Sequence, residues 1–203
     1  MNRRLNIILT IITALSLAAG ILAFFVMPAS GANGNVTVIS APKQEKAQRP
    51  SCFPDPEANY TPMPDTENLA LNKEVLSGEI TDVYVTSNVN DGKTDTYWES
   101  KGFPGQMIIN LGGSHRISTV AVRLNPSAVW EARSQEISVF VGSDENNFKE
   151  ISPATMYNFD PDTGNRIRID FDTVEATYVK VVFTKNTSSR TGGAQAAEIE
   201  VYE

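Results

Sequence analysis

Between Val89 and Ser100 the chain reads Val-Asn-Asp-Gly-Lys-Thr-Asp-Thr-Tyr-Trp-Glu-Ser, a tight gathering of turn residues, oxygen donors and a large aromatic. Asp91-Gly92 makes the turn, because glycine takes a positive φ at no steric cost and aspartate bonds its own backbone nearby. Thr94, Asp95 and Thr96 then add hydroxyl and carboxylate oxygens before Trp98 returns the chain to apolar packing. Oxygen sets of this kind bind hard cations such as calcium. A solvated Asp-Gly turn leading into a core tryptophan accounts for the same residues, so both readings stand at this point. An EF-hand does not fit, since aligning Gly92 with that motif's glycine puts Val89 and Trp98 at ligand positions.

Little else in the sequence is equipped for catalysis. His115 is the single histidine, set between Ser114 and Arg116 at a turn into a strand, which gives a nucleophile–histidine triad no support. One cysteine and one histidine cannot build a transition-metal site. Among 24 acidic residues a carboxylate pair is always conceivable, but Glu99, Glu131, Asp160 and Asp162 fall on turns. A glycine loop for phosphate is missing from the sequence. The expected protein is not an enzyme. Its net charge of -7 becomes more acidic by two once residues 1–32 are set aside, because these carry Arg3 and Arg4 and no acid. Acidity argues against nucleic acid and against anionic lipid as partners.

The elements that must hold these residues are strands. From Leu69 onward apolar and polar residues alternate in short runs: Met107-Ile109-Leu111, Val120-Val122-Leu124, Ile137-Val139-Val141, Ile167-Ile169-Phe171, Val179-Val181-Phe183 and Ile199-Val201. A period of two is the mark of half-buried strands, and no stretch after Leu69 keeps a helical period. At least six strands with two inner faces predict a sandwich. Gly112-Gly113, Gly142 to Asn147 and Asp160 to Asn165 read as turns or loops between the runs.

Ahead of this lie two other segments. Residues 1–32 join Arg3-Arg4 to an apolar run from Leu5 to Met27, which ends in Pro-Ala-Ser-Gly-Ala. This is either a signal peptide cut before Asn33 or a membrane anchor, and in both cases the rest is exported to the cell surface or beyond. Residues 33–65 are polar and carry six prolines, Pro42, Pro50, Pro54, Pro56, Pro62 and Pro64, as a disordered linker would. Cys52 lies there, unable to form an intrachain disulfide. Asn35, Asn59 and Asn186 begin Asn-x-Ser/Thr sequences, acceptors only in a host that glycosylates. The folded domain is expected over 66–203.

The ordered motifs of this region resemble the discoidin, or coagulation factor V/VIII type C, domains, and within them the family 32 carbohydrate-binding modules of bacteria. The matching pieces are Asn68-Leu69-Ala70-Leu71-Asn72-Lys73, Asn90-Asp91-Gly92 through Trp98-Glu99-Ser100, and Met107 to Gly112. They continue with Trp130-Glu131-Ala132-Arg133, Val141-Gly142-Ser143 with Phe148, Tyr157 to Asp160, Tyr178 to Val181, and Ala194 to Tyr202. The resemblance implies an all-β, eight-stranded jelly-roll sandwich of the galactose-binding-like kind. It implies a structural calcium held by Asp91, the carbonyls of Lys93 and Ala197, Thr96 and Glu198. It also implies a glycan site built from loops at one end. There Trp130 would stack on a sugar ring while Glu131 and Arg133 bond its hydroxyls, with Arg190 and Tyr84 as neighbouring contacts. Residues 186–193 contain no aromatic where related modules often have one, which predicts modest affinity. The expected protein is a monomeric, exported glycan binder. The alternative is a surface adhesion domain that binds protein or lipid headgroups through Val129-Trp130.

Overall fold

A computed structural model describes residues 57–203. The apolar segment 1–32, residues 33–56 of the Pro-rich stretch, Asn35 and Cys52 lie outside the described residues. Eight strands occupy the described residues: β1 (Glu74–Ser77), β2 (Trp98–Glu99), β3 (Gly105–Arg123), β4 (Arg133–Gly142), β5 (Lys149–Phe159), β6 (Arg166–Asn186), β7 (Gln195–Ala196) and β8 (Glu198–Tyr202). The strands β1-β3-β6-β4-β5 lie side by side in that order, β8 adds to β3, and β2 pairs with β7. All of these pairings are antiparallel. The described residues form an all-β sandwich.

Sequence alternation decides which face is buried. Met107, Ile109, Leu111, Val120, Val122, Ile137, Val139, Val179, Val181 and Phe183 all point into one core, joined there by Ile199, Val201 and Trp98. The Trp98 ring packs 5.8 Å from that of Phe183, and a buried indole of this size contributes some of the largest single apolar burial in the domain.

The strand count hides a difference from the sequence reading. The runs 107–111 and 120–123 belong to one 19-residue strand, with Leu124 just past its end, and 167–171 and 179–183 to one of 21 residues. Leu111 to Ser114, expected as a turn, lies inside β3, where Gly112 has a φ of 83° and the register with β6 shifts between Asn110 and His115. Glycine with positive φ serves a bulge as readily as a turn. A bulge bends and twists its strand, so β3 and β6 each carry two apolar runs around the core without a hairpin.

This path brings the strand ends together. Arg123 at the end of β3 pairs with Arg166 at the start of β6 and with Glu198 at the start of β8. Arg133 at the start of β4 pairs with Phe159 at the end of β5, and Gln135 with Asn186 at the end of β6. The connections after β3, β5 and β6 therefore emerge at one end.

Two buried or half-buried asparagines fasten the domain's first residues. Asn68 Oδ1 accepts from the amides of Ala70 and Val201, while Leu69 N donates to Val201 O. Asn90, 3% exposed, donates from Nδ2 to the carbonyls of Ala70 and Lys73. Before them, the end of the Pro-rich stretch lies on the sandwich. The Tyr60 ring covers Gly164, where an added Cβ would sit 2.7 Å from it, and lies 5.0 Å from the Arg166 guanidinium. Thr61 N donates to Thr163 O at 3.2 Å, and Arg168 Nη1 to Pro62 O at 3.3 Å. Aromatic and proline residues in a polar stretch read as linker by composition, yet here they find partners.

Candidate functional site

A cleft of about 420 Å³ opens at the end where the loops gather, lined by Tyr84, Tyr97, Glu99, Val129, Trp130, Arg133, Arg190 and Gln195. One wall is aromatic. Tyr84 stacks on Tyr97 at 4.2 Å and 24°, and Trp130 meets Tyr97 edge-on at 4.7 Å and 89°. Offset stacking and edge contact are the arrangements that aromatic quadrupoles favour. Burial, followed by its contact with Tyr84, raises the pKa of the Tyr97 phenol, which keeps it a neutral hydroxyl.

The floor is polar and fixed from below. Arg133, 7% exposed, donates from Nη1 to Gln195 Oε1, from Nη2 to the Trp130 carbonyl, and from Nε to Glu131 O at 3.4 Å. Its guanidinium also lies 5.2 Å from the Trp130 ring centre. Gln195 Nε2 donates to Glu99 Oε2 at 2.7 Å, and Gln135 exchanges two bonds with the Gln195 backbone. Burial lowers the pKa of Arg133, opposed next by the charge of Glu131. The result is a held row of donor and acceptor, Arg133–Gln195–Glu99, beneath the aromatics.

The loop that carries Trp130 is a single 3₁₀ turn, Ala128–Trp130, followed by Glu131 at φ 34° and ψ 150°. A positive φ at a residue with a Cβ costs about 1–3 kcal/mol unless its surroundings enforce it. Arg133 supplies that enforcement by bonding the carbonyls on both sides of Glu131's amide-to-carbonyl path. From the other side, Arg190 donates to Val129 O at 3.3 Å and pairs with the Glu131 carboxylate at 3.6 Å.

Of the sequence-predicted ligand contacts, Tyr84, Trp130, Arg133 and Arg190 line the cleft, whereas Glu131 stands behind its rim as the partner of Arg190. Tyr97, Glu99 and Gln195 also line it and were not singled out in the sequence. The signal for two of them was present: Trp98 points inward, so strand alternation turns Tyr97 and Glu99 outward.

The expected calcium ligands form a separate cluster. Glu198, 2% exposed, accepts at Oε1 from the amides of Gly92 and Lys93 at 3.0 and 2.9 Å. Asp91 accepts from Lys93 N and, at Oδ2, from the Thr96 hydroxyl at 2.9 Å. Lys93 thus meets this cluster through its amide, with Nζ 3.8 Å from Asp91 Oδ2, while fully buried Ala197 adjoins by chain. Glu198 Oε2 is buried with no hydrogen-bond partner among the described residues. Burial first, then the neighbouring Asp91, pushes the Glu198 carboxyl up to about 8. A buried, orphaned carboxylate oxygen beside a second carboxylate and a hydroxyl is a donor set that suits a hard divalent cation.

Comparison with known proteins bears on the fold and the family. Residues 88–181 match the family profile described as the NedA-like, galactose-binding domain of the F5/F8 type C group. No curated protein matches the chain. Among solved structures it is similar to CpGH89CBM32-5 from Clostridium perfringens, in complex with GalNAc-β-1,3-galactose, at 25% identity and TM-score 0.56 over 68% of this chain and all of that one. Chitosan-binding module 1 from a chitosanase/glucanase of Paenibacillus sp. matches at 24% and 0.55, over 68% of this chain and 100% of the module. The family 32 module of AlyQ, in complex with 4,5-unsaturated mannuronic acid, matches at 20% and 0.53, over 64% and 94%. In SpGH29, a longer chain, the match spans only 28% of the length, at 19% identity and 0.54. Residues 88–181 thus match the galactose-binding-like domain of the F5/F8 type C group, and the solved structures that share the fold include family 32 carbohydrate-binding modules.

Proposed function

We propose that the domain binds glycan without catalysis, in the cleft between Trp130, Tyr84 and the Arg133–Gln195–Glu99 row. One observation carries the reading: an aromatic wall beside a fixed donor–acceptor floor, the combination that lets a sugar present its apolar face and its hydroxyls at once. Arg133 donates, Glu99 accepts, and the aromatic rings exclude water from one side. Related modules bind several different sugars by their names, which supports the class of ligand and leaves its identity open.

Calcium belongs to the same proposal as a structural ion. Asp91, Thr96 and Glu198 would hold it, with the Lys93 and Ala197 carbonyls, and it would supply the positive charge that Glu198 Oε2 lacks. These residues would tie the loop after Asn90 to the start of β8, away from the cleft's contacts. The apolar residues 1–32 would export the chain to the cell surface or release it outside, where such a module meets glycan.

A glycan array probed with the full-length chain tests the reading. Binding is expected to fall about tenfold or more in Trp130→Ala, since burying a large apolar side chain is worth about 1.5–3 kcal/mol. An array that stays dark at high protein concentration would overturn it. Adhesion is the second reading, favoured by one feature: Val129, which lines the cleft, is 71% exposed, and Val83, next in sequence to Tyr84, is 67% exposed. Liposome flotation of residues 57–203, with and without calcium, separates the two, because a glycan binder lacking the N-terminal segment stays in the soluble fraction.

A further inference from the structure

A second cleft, of about 360 Å³, lies along the same ribbon of chain as the first and is lined by Glu79, Lys101, Gly102, Phe103 and Pro104. The ribbon consists of residues 79–84, β2 with its continuation to Lys101, and β7. Thr81 N donates to Glu99 O at 3.0 Å, Lys101 N to Glu79 O at 3.2 Å, and Glu99 N to Tyr84 O at 3.4 Å, while Ile80 bridges Ser100. Side chains alternate along β2: Trp98 and Ser100 are buried, so Glu99 and Lys101 share the outer face. Their Cα atoms are about 7 Å apart at strand spacing. Glu99 and Tyr84 line the first cleft, and Lys101 and Glu79, on the same two segments, line the second.

The second cleft has its own aromatic face and its own polar pair. Phe103 is 42% exposed on a loop that is pinned from behind. Ser100 Oγ donates to Gly102 O at 2.7 Å and accepts from Ala194 N at 2.8 Å, and an added Cβ on Gly105 would fall 2.7 Å from that oxygen. The ring is therefore presented on a held loop. Lys101 Nζ meets Glu79 Oε2 at 3.3 Å with both side chains largely in water, 68% and 78% exposed. A solvated pair of this kind contributes little to stability and leaves donors and an acceptor open to hydroxyls.

We propose that the Glu79–Lys101–Phe103 cleft is a second saccharide subsite, aligned by the ribbon with the first, so that the protein grips neighbouring residues of an oligosaccharide. This rests on the reading of the first cleft as a glycan site. Calorimetry of the full-length chain against monomer-to-hexamer ladders of galacturonate, mannuronate and glucosamine tests it. On the ladder that binds, affinity is expected to rise about tenfold beyond the monosaccharide as Phe103 becomes covered. Phe103→Ala and Lys101→Ala should erase that rise and leave the monosaccharide Kd unchanged, Phe103→Tyr should keep it, and Trp130→Ala should weaken every length. Wild-type affinity independent of length, or a length gain that survives in Phe103→Ala, overturns the second subsite and leaves the first standing. A chain that binds no member of any ladder and gives no signal on the glycan array overturns both.

Discussion

At the residue scale the two carboxylates Asp91 and Glu198 give the sharpest expectation. The Glu198 carboxyl is pushed up to about 8 from an ordinary 4.5, chiefly by burial. A folded-state value above the unfolded one means that the native protein holds the proton more tightly, so stability is full below about pH 4.5 and declines as pH rises toward about 8. In a chelator the unfolding free energy should fall across that window by an amount on the order of a few kcal/mol, read as a drop in melting temperature at successive pH values. Glu198→Gln should flatten this dependence, because the amide keeps an oxygen for the Gly92 and Lys93 amides and carries no charge. Arg133 supports a different expectation. Lysine cannot reproduce a planar fork that bonds Gln195 and the carbonyls of Trp130 and Glu131 together, so Arg133→Lys should weaken glycan binding about tenfold or more. Titration on the best ligand of the array measures it, and unchanged affinity would remove Arg133 from the floor of the site.

At the element scale the cleft depends on the β2–β7 pair and on the segment that precedes the sandwich. Gly193 sits so close to Ser100 that an added Cβ would meet its carbonyl oxygen at 1.9 Å. That neighbour is backbone and has no rotamer to change. Gly193→Ala should therefore disturb the Ser100–Ala194 contacts and cost about 1–3 kcal/mol or more in a denaturant titration. Tyr60 belongs to a stretch that composition assigns to a linker, yet its ring fills the space over the left-handed Gly164 and stacks near Arg166. Tyr60→Ala should lower the unfolding free energy by about 1–2 kcal/mol, and Tyr60→Phe should retain most of it, since ring packing and not the hydroxyl makes these contacts. A melt of Tyr60→Ala that overlays the wild type would show that the stretch rests on the surface without holding it.

At the scale of the whole molecule, stability and recognition fall to different places under the proposed reading. The Asp91–Glu198 cluster joins residues more than a hundred positions apart in the chain, while the cleft is lined by other side chains, some of them, such as Tyr97, adjacent in sequence to that cluster. If calcium is the ion, adding it to chelated protein should raise the melting temperature by several degrees. Asp91→Ala should abolish that response and change the ranking of sugars on an array very little.

Strand identity, the inward set of apolar residues and the Asp-Gly loop were all legible in the sequence, because a two-residue period and turn chemistry are local properties. Met107, Val139 and Val181 could be placed in the core one run at a time. Trp98 was legible as a core anchor, whereas the outward face of Tyr97 and Glu99 follows once its burial and the β2 pairing are in place. What local pattern left open was how the runs join: Gly112-Gly113 suits a hairpin and a bulge equally, and only the pairing of β3 with β6 decides for the bulge. The long bent strands that follow from it set the loops after β3, β5 and β6 side by side. Trp130, Tyr97 and Tyr84 become one wall, and Gln195 becomes the link between Arg133 and Glu99, only through contacts as much as 96 residues apart in the chain. Local pattern likewise does not bring Asp91 beside the buried oxygen of Glu198; the resemblance put the two in one set, and the tertiary structure sets them side by side. Periodicity specifies which way a side chain faces; the tertiary fold specifies what it faces.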